Sequence, residues 1–120
     1  MVFGYARVST TDQNIESQKT ELLALGCEKL FLDKASGKDL ERVELNKLIE
    51  ILRPKYVVIV LKLDRLSRSL KDLIFLLDEL ARLKIVLKIG ELNFDFSTAE
   101  GRFIANVFGA VAEFERELIR

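Results

Sequence analysis

The chain of 120 residues contains no histidine and only one cysteine. Without histidine there is no Ser–His or Cys–His catalysis and no imidazole to bind zinc, which argues against the ordinary hydrolases. Cys27 has no partner for an internal disulfide, which fits a reducing cytosol. No apolar run approaches the roughly 20 residues of a membrane-spanning helix, and no basic leader precedes a cleavage site. We therefore expect a cytoplasmic protein with no signal peptide and no membrane contact.

The composition is that of one globular domain, with 49% hydrophobic and 32% charged residues. The formal net charge is zero, so charge alone does not indicate a nucleic-acid partner. The charges are unevenly spread, because positions 53–71 hold six cations and a single acid, Asp64. Such a stretch fits a solvated face as well as it fits a binding surface.

Hydrophobic patterns predict strands and helices in alternation. Strands are expected at residues 2–8, 30–32, 56–61 and 85–89, and the third is an apolar, β-branched run typical of a strand buried on both faces. A capping box of Thr10 with Gln13 starts the first helix, which Gly26 ends. Later helices carry apolar residues at positions 45, 48, 49 and 52, before Pro54, and again over residues 70–81. The predicted fold is α/β, with a largely parallel sheet of four to five strands flanked by helices.

A long helix is predicted at the end of the chain, after a capping box of Ser97 with Glu100. Only Gly109 interrupts it, at a mild cost. Apolar residues recur along it at heptad-like spacing, with Ile104 first and the candidate oligomerisation seam formed by Val107, Val111, Phe114 and Leu118. Either the helix packs along its own sheet or its distal end projects and pairs with a partner. We expect a body of residues 1–97 continuous with an oligomerisation helix of residues 98–120.

Four short motifs follow strand ends or lie on the last helix. They are residues 5–10 (YARVST), 33–37 (DKASG), 62–68 (KLDRLSR) and 113–119 (EFERELI). In this order and spacing the chain resembles, over essentially its whole length, the catalytic domain of the small serine site-specific recombinases of the resolvase and DNA invertase type. The resemblance implies a resolvase-like fold and site-specific DNA recombination through a covalent 5′-phosphoserine intermediate, with no cofactor and no metal. It also implies double-stranded DNA as partner, a homodimer that forms a tetramer in the synaptic complex, and a prokaryotic, nucleoid-associated protein.

The residues themselves suit phosphoryl transfer. Arg7 and Ser9 are two apart on a predicted strand, so they share a face at its carboxyl end, where open parallel sheets bind ligands. Arg65 and Arg68 are three apart, which makes them neighbours on a helical turn after the third strand. The attacked phosphate gains charge on its equatorial oxygens, and the guanidinium fork matches those oxygens.

The resemblance extends the set of expected site residues. Its catalytic positions match Ser9, Arg7, Arg65, Arg68, Arg42 and Asp64. Arg42 lies in the loop before the second helix, and Asp64 either orients an arginine or handles a proton. Supporting positions match Gln18 on the first helix, with Asp33 and Ser36 in the element after the second strand, where they position a mobile loop.

Other interpretations remain beside this one. Ser9 could be a helix cap, and the arginines could be solvated or paired with carboxylates such as Asp64. A phosphate-binding regulatory module would need a glycine-rich loop after the first strand, and residues 8–12 (VSTTD) contain no glycine. A catalytically inactive relative is opposed by the presence of every motif residue.

The resemblance also bears on the region beyond the long helix. The similar recombinases continue into a basic arm and a helix-turn-helix domain that reads DNA sequence. This sequence ends at Arg120, so we expect the DNA-reading domain to be absent from it. The target site, and the choice between resolution, inversion and transposition, stay open.

Overall fold

The computed structural model describes residues 1–9, 15–35, 42–61 and 70–119. Its strands are β1 (Val2–Ser9), β2 (Lys29–Ala35), β3 (Val57–Val60), β4 (Val86–Ile89) and β5 (Leu92–Asp95). Its helices are α1 (Ile15–Ala24), α2 (Val43–Ile51), α3 (Leu70–Arg82) and α4 (Ala99–Ile119). Within these ranges no helix is long and apolar enough to cross a bilayer.

The strands form one sheet in the order β2-β1-β3-β4-β5. The first four strands are parallel and β5 pairs antiparallel with β4, which confirms the predicted largely parallel α/β fold. The sequence located the first four strands, and β5 is the fifth strand that the prediction of four to five strands allowed but did not locate. That strand returns along β4 through a tight turn at Gly90, whose φ of 58° suits glycine.

The alternation of side chains along β1 divides the interior into two cores. Phe3 and Tyr5 belong to the larger core, which α2, α3 and α4 cover. The opposite face of β1 packs beneath α1, where Leu22 and Cys27 are buried. This face needs glycine at position 4, since a β-carbon there would lie 2.8 Å from Cys27 Sγ. The larger core therefore lies on the face of Tyr5, and the same alternation places Arg7 on that face.

The start of α4 differs from the predicted capping box. Thr98, not Ser97, caps the helix, because its Oγ1 accepts a hydrogen bond from the Gly101 amide at 3.0 Å. Ser97 instead donates its hydroxyl to the Asp95 carboxylate at 2.6 Å. These hydrogen bonds from Ser97, first from its hydroxyl and then from its amide, lower the pKa of Asp95. The turn before α4 is thereby fixed to the end of β5.

Two different faces of α4 carry its apolar residues. The inner face packs on α3 and the sheet, with Ala112 fully buried and Ile104 and Phe108 against the larger core. Ile104 therefore does not belong with the heptad residues among which the sequence placed it. The outer face exposes five large apolar side chains, here called the outer stripe: Phe103, Val107, Val111, Phe114 and Leu118. Phe114 is 61% and Leu118 63% exposed, so the predicted seam lies on the side of α4 that its own domain leaves uncovered.

Candidate active site

Ser9 is the last residue of β1, at the carboxyl edge of the parallel sheet. Along this edge Arg7 pairs with Asp33 of β2, and Ser9 pairs with Ala35. β3 ends beside Tyr5, since Tyr5 is in register with Val60. β1 therefore continues four residues, Ala6 to Ser9, beyond the end of β3, and both parallel strands end toward the same edge of the sheet.

Asp33 is the best-defined polar residue of this edge, and its place corrects the prediction that it follows the second strand. β2 continues through Ala35 because its pairing with β1 continues. The side chain of Asp33 is only 5% exposed. Its carboxylate accepts hydrogen bonds from the Tyr5 hydroxyl at 2.9 Å, the Glu44 amide at 2.8 Å and the Leu45 amide at 3.1 Å.

These hydrogen bonds make Asp33 the cap of α2. The residue at the N-cap position is Arg42, whose side chain makes no capping hydrogen bond. A helix N-terminus carries orphan amides and partial positive charge, which favour a carboxylate and disfavour a guanidinium. Asp33 supplies that carboxylate from β2, so the position of Arg42 is fixed by a residue in another element.

Tyr5 joins Asp33 to the nearby arginines. Burial raises the pKa of the Tyr5 phenol well above its usual range, and the charge and hydrogen bond of Asp33 raise it further. The charges of Arg42 and Arg7 oppose this shift, so both guanidinium groups lie within electrostatic reach of the phenol. Tyr5 consequently stays protonated and acts as a hydrogen-bond donor to Asp33.

The structure brings some of the predicted site residues together and leaves others outside the described ranges. Asp33 is hydrogen-bonded to Tyr5, and the charges of Arg42 and Arg7 act on the Tyr5 phenol. Tyr5 was not predicted; its signal was its position two residues before Arg7, on the same strand face. Gln18 lies in the first half of α1, the helix that covers the opposite face.

Four predicted residues, Ser36, Asp64, Arg65 and Arg68, lie outside the described residues, and nothing is described of the Ser9 side chain. Among the described residues, no cluster of three or more Asp, Glu or Cys is suited to hold a metal ion.

Similarity to known proteins covers nearly the whole chain. The family model described as the resolvase N-terminal domain matches residues 2–120. A DNA-invertase of Enterobacteria phage P7 is 46% identical over 99% of this chain and 64% of its own length. The serine recombinase gin of Escherichia phage Mu is 44% identical over 99% of this chain and 62% of its own length.

A third relative comes from a transposon. The transposon Tn917 resolvase of Enterococcus faecalis is 43% identical over 99% of this chain and 65% of its own length. The chain thus spans slightly under two thirds of these relatives. A match to the family model over 2–120, together with this level of identity, shows that the chain belongs to the resolvase N-terminal domain family.

Proposed function

We propose that this chain is the catalytic domain of a serine site-specific DNA recombinase, with Ser9 as the nucleophile. The names of its relatives, an invertase, a serine recombinase and a resolvase, support DNA rearrangement as the reaction. They span both inversion and resolution, so the proposal is recombination without a choice between them. Double-stranded DNA is the proposed substrate, and a prokaryotic cytoplasm with attachment to the nucleoid through DNA is the proposed location.

The proposed reaction is transesterification at phosphorus. The Ser9 hydroxyl oxygen attacks a phosphodiester of DNA, the bond from phosphorus to the 3′ oxygen breaks, and a proton leaves Ser9 while the departing 3′ oxygen gains one. The product is a 5′-phosphoserine and a free 3′-hydroxyl. When a 3′-hydroxyl of another strand attacks the phosphoserine, the same steps run in reverse and Ser9 is regenerated. Bond energy is kept in the phosphoserine, so no external energy source is needed.

The observation that carries the proposal is the cluster at the end of β1. Ser9 ends the strand on which Arg7 lies two residues earlier, and Asp33 fixes the helix that begins beside Arg42. Two guanidinium groups near the nucleophile's strand end suit the charge that develops on phosphate oxygens. Tyr5 and Asp33 act as positioning residues, because they hold the frame on which these arginines stand.

The segment after β3 completes the proposed site. It carries Asp64, Arg65 and Arg68 and follows β3, which ends toward the same edge of the sheet as β1. We place Arg65 and Arg68 on the phosphate, Asp64 beside one of them, and Gln18 and Ser36 in supporting positions. In this mechanism arginines alone meet the phosphate charge, and no metal or cofactor takes part.

The outer stripe supports self-association. We propose that residues 98–120 pair two copies into a dimer through Val107, Val111, Phe114 and Leu118, and that two DNA-bound dimers form a tetramer. Each of these side chains is between 36% and 63% exposed. Burying one such side chain against a partner contributes roughly 1.5–3 kcal/mol, so a few anchors suffice for a weak dimer. Residues 1–97 then form the catalytic body.

The test is covalent capture of cut DNA by a full-length protein that carries this chain. In a site nicked just upstream of the cleavage position, the short fragment that carries the free 3′-hydroxyl diffuses away after cutting, so rejoining is prevented and the protein–DNA adduct accumulates. We expect an adduct with the unmodified protein and none with Ser9→Ala. Ser17→Ala, which removes an exposed serine of α1, is the matched control and keeps the adduct. An adduct in Ser9→Ala of unchanged thermal stability contradicts the proposal.

A further inference from the structure

A cleft of about 580 Å³ lies between the carboxyl end of α3 and the first half of α4. Arg82, Lys84 and Arg102 stand on its walls with Asn106, while Phe96 and Ala105 give it an apolar part. Lys84 precedes β4, and its carbonyl accepts a hydrogen bond from the amide of Lys55, two residues before β3, so the cleft opens toward the amino edge of the sheet. It is therefore distant in the fold from the edge where Ser9 lies. Neither the proposed reaction nor the outer stripe uses it.

The charges of the cleft leave two cations unmatched. Among the described residues that line it, the only acid is Asp78, which is buried and bound to Arg82 at 3.1 Å and to Arg116 at 3.9 Å. Asp78 is thus already neutralised. Within the described part of the chain, Lys84 and Arg102 form no ion pair. The neighbouring Lys55 has Asp95 close enough to lower the pKa of that carboxyl.

Both unmatched cations stand on fixed backbone. Lys84 holds a left-handed conformation with φ of 57°, donates its amide to the Ala81 carbonyl and accepts from the Lys55 amide at 2.9 Å. Arg102 follows Gly101, which lies so close to the Asp95 carbonyl that no side chain fits there. Its amide also donates to the Thr98 carbonyl at 2.9 Å. Fixed cations lose little backbone freedom on binding a ligand, which favours binding.

We propose that this cleft binds a phosphate group through Lys84 and Arg102. Two unmatched positive charges suit a dianion, and an arginine fork beside a lysine is a common phosphate-binding pair. Asn106 can add a neutral hydrogen bond. The volume falls within the range of ligand sites, about 300–1,000 Å³, and exceeds what a bare phosphate fills. The remainder of the ligand then packs on Ala105.

A phosphate group can reach the cleft on a nucleotide-sized molecule or on the backbone of DNA. In either case it would link Lys84, which lies in the turn between α3 and β4, to Arg102 of α4. The bound phosphate would thereby strengthen the attachment of α4 to the domain. This inference does not depend on Ser9 or on cleavage, so its failure would leave the proposed function untouched.

The test is a titration of the isotopically labelled chain followed by nuclear magnetic resonance. The probes are inorganic phosphate, adenosine 5′-monophosphate and a short DNA duplex. We expect the Lys84 and Arg102 amide signals to move, and the dissociation constant of the tightest phosphate probe to rise about tenfold in Lys84→Ala or Arg102→Ala, as for loss of one charged hydrogen bond. Lys88→Ala, an exposed lysine of β4 on the opposite sheet face, is the matched control and keeps the affinity.

The probes also identify the source of the phosphate. Movement with the nucleotide assigns a small molecule, and movement with the duplex alone assigns the DNA backbone; both outcomes support the site. The inference is overturned if no probe moves these signals, or if the shifts persist in the Lys84→Ala/Arg102→Ala double variant. Tighter binding of a glutamate-rich peptide than of any phosphate probe also overturns it.

Discussion

Two buried carboxylates, those of Asp33 and Asp78, are stabilised by different kinds of partner. Each side chain belongs to a residue only 5% exposed, so each charge needs partners inside the protein. Asp33 accepts hydrogen bonds from neutral groups, the Tyr5 hydroxyl and two backbone amides. Asp78 is bound instead by two guanidinium groups, those of Arg82 and Arg116.

This difference indicates two roles for arginine: those bound to Asp78 stabilise the fold, and those near Asp33 act in the proposed reaction. Around Asp78 the guanidinium of Arg116 joins α4 to α3, and it also lies 5.0 Å from the centre of the Phe75 ring. Around Asp33 the neutral donors satisfy the carboxylate, while Arg7 and Arg42 stand nearby. Substitutions in the two regions should therefore affect different measurements.

The largest expected effect comes from removing an arginine beside Asp33. Arg42→Ala should slow DNA cleavage by about 10²–10³-fold, the usual cost of losing one transition-state charge donor. Arg42→Lys should restore little of the rate, since the guanidinium fork is lost. Arg116→Ala is the matched control and should cleave at nearly the normal rate. Single-turnover cleavage in excess chelator measures these rates, and equal losses in Arg42→Ala and Arg116→Ala would remove the distinction.

The two carboxylates should differ in stability as well. Asp33→Ala leaves two amides and a buried hydroxyl without an acceptor, and each orphaned group costs about 1–3 kcal/mol; we expect a loss near 3 kcal/mol. Asp78→Ala should cost less, about 1–2 kcal/mol, because Arg82 and Arg116 have side chains 71% and 47% exposed that water can solvate.

Urea unfolding gives the free energies for this comparison. Glu79→Ala, which changes the exposed acid next to Asp78, serves as the control and should stay within about 0.5 kcal/mol of the parent. A larger loss in Asp78→Ala than in Asp33→Ala would reverse the comparison and make the α3–α4 contact the more important one for stability.

The sequence predicted those features that repeat along the chain. The apolar run at residues 56–61 indicated β3, and the apolar positions of α2 and α3 indicated their buried faces. Two features had no such signal. β5 has four residues, and Leu92 and Asn93 are exposed, so no periodic pattern marks it.

The capping of α2 by Asp33 was also beyond sequence patterns. The capping hydrogen bonds link Asp33 to amides that lie 11 and 12 positions later in the chain, and the Tyr5–Asp33 hydrogen bond spans 28 positions. Local patterns reach only a few residues, so they locate Asp33 and Arg42 as candidates without showing that one positions the other. Similarly, the heptad pattern identified Val107 to Leu118 as apolar, but only the packing of α4 on α3 shows which of its apolar residues remain outside.

The smallest expected effect concerns the outer stripe. We expect sedimentation at tens to hundreds of micromolar to detect weak association of the chain, because exposed Phe114 and Leu118 gain from burial against a partner. Phe114→Asp/Leu118→Asp should shift the chain to monomer without lowering its thermal stability. If the parent chain and the double variant are both monomeric, and the full-length protein with the two substitutions still recombines DNA normally, α4 is not the assembly element.

The position of the covalent bond tests the central claim most directly. The trapped protein–DNA adduct is digested with nuclease and protease, and the remaining phosphoryl group is located by mass spectrometry. We predict that it lies on Ser9, that it derives from the 5′ end of the cut strand, and that the other strand end carries a free 3′-hydroxyl. A phosphoryl group on any other residue, such as Ser36 or Ser67, or a linkage to the 3′ end, would contradict the account.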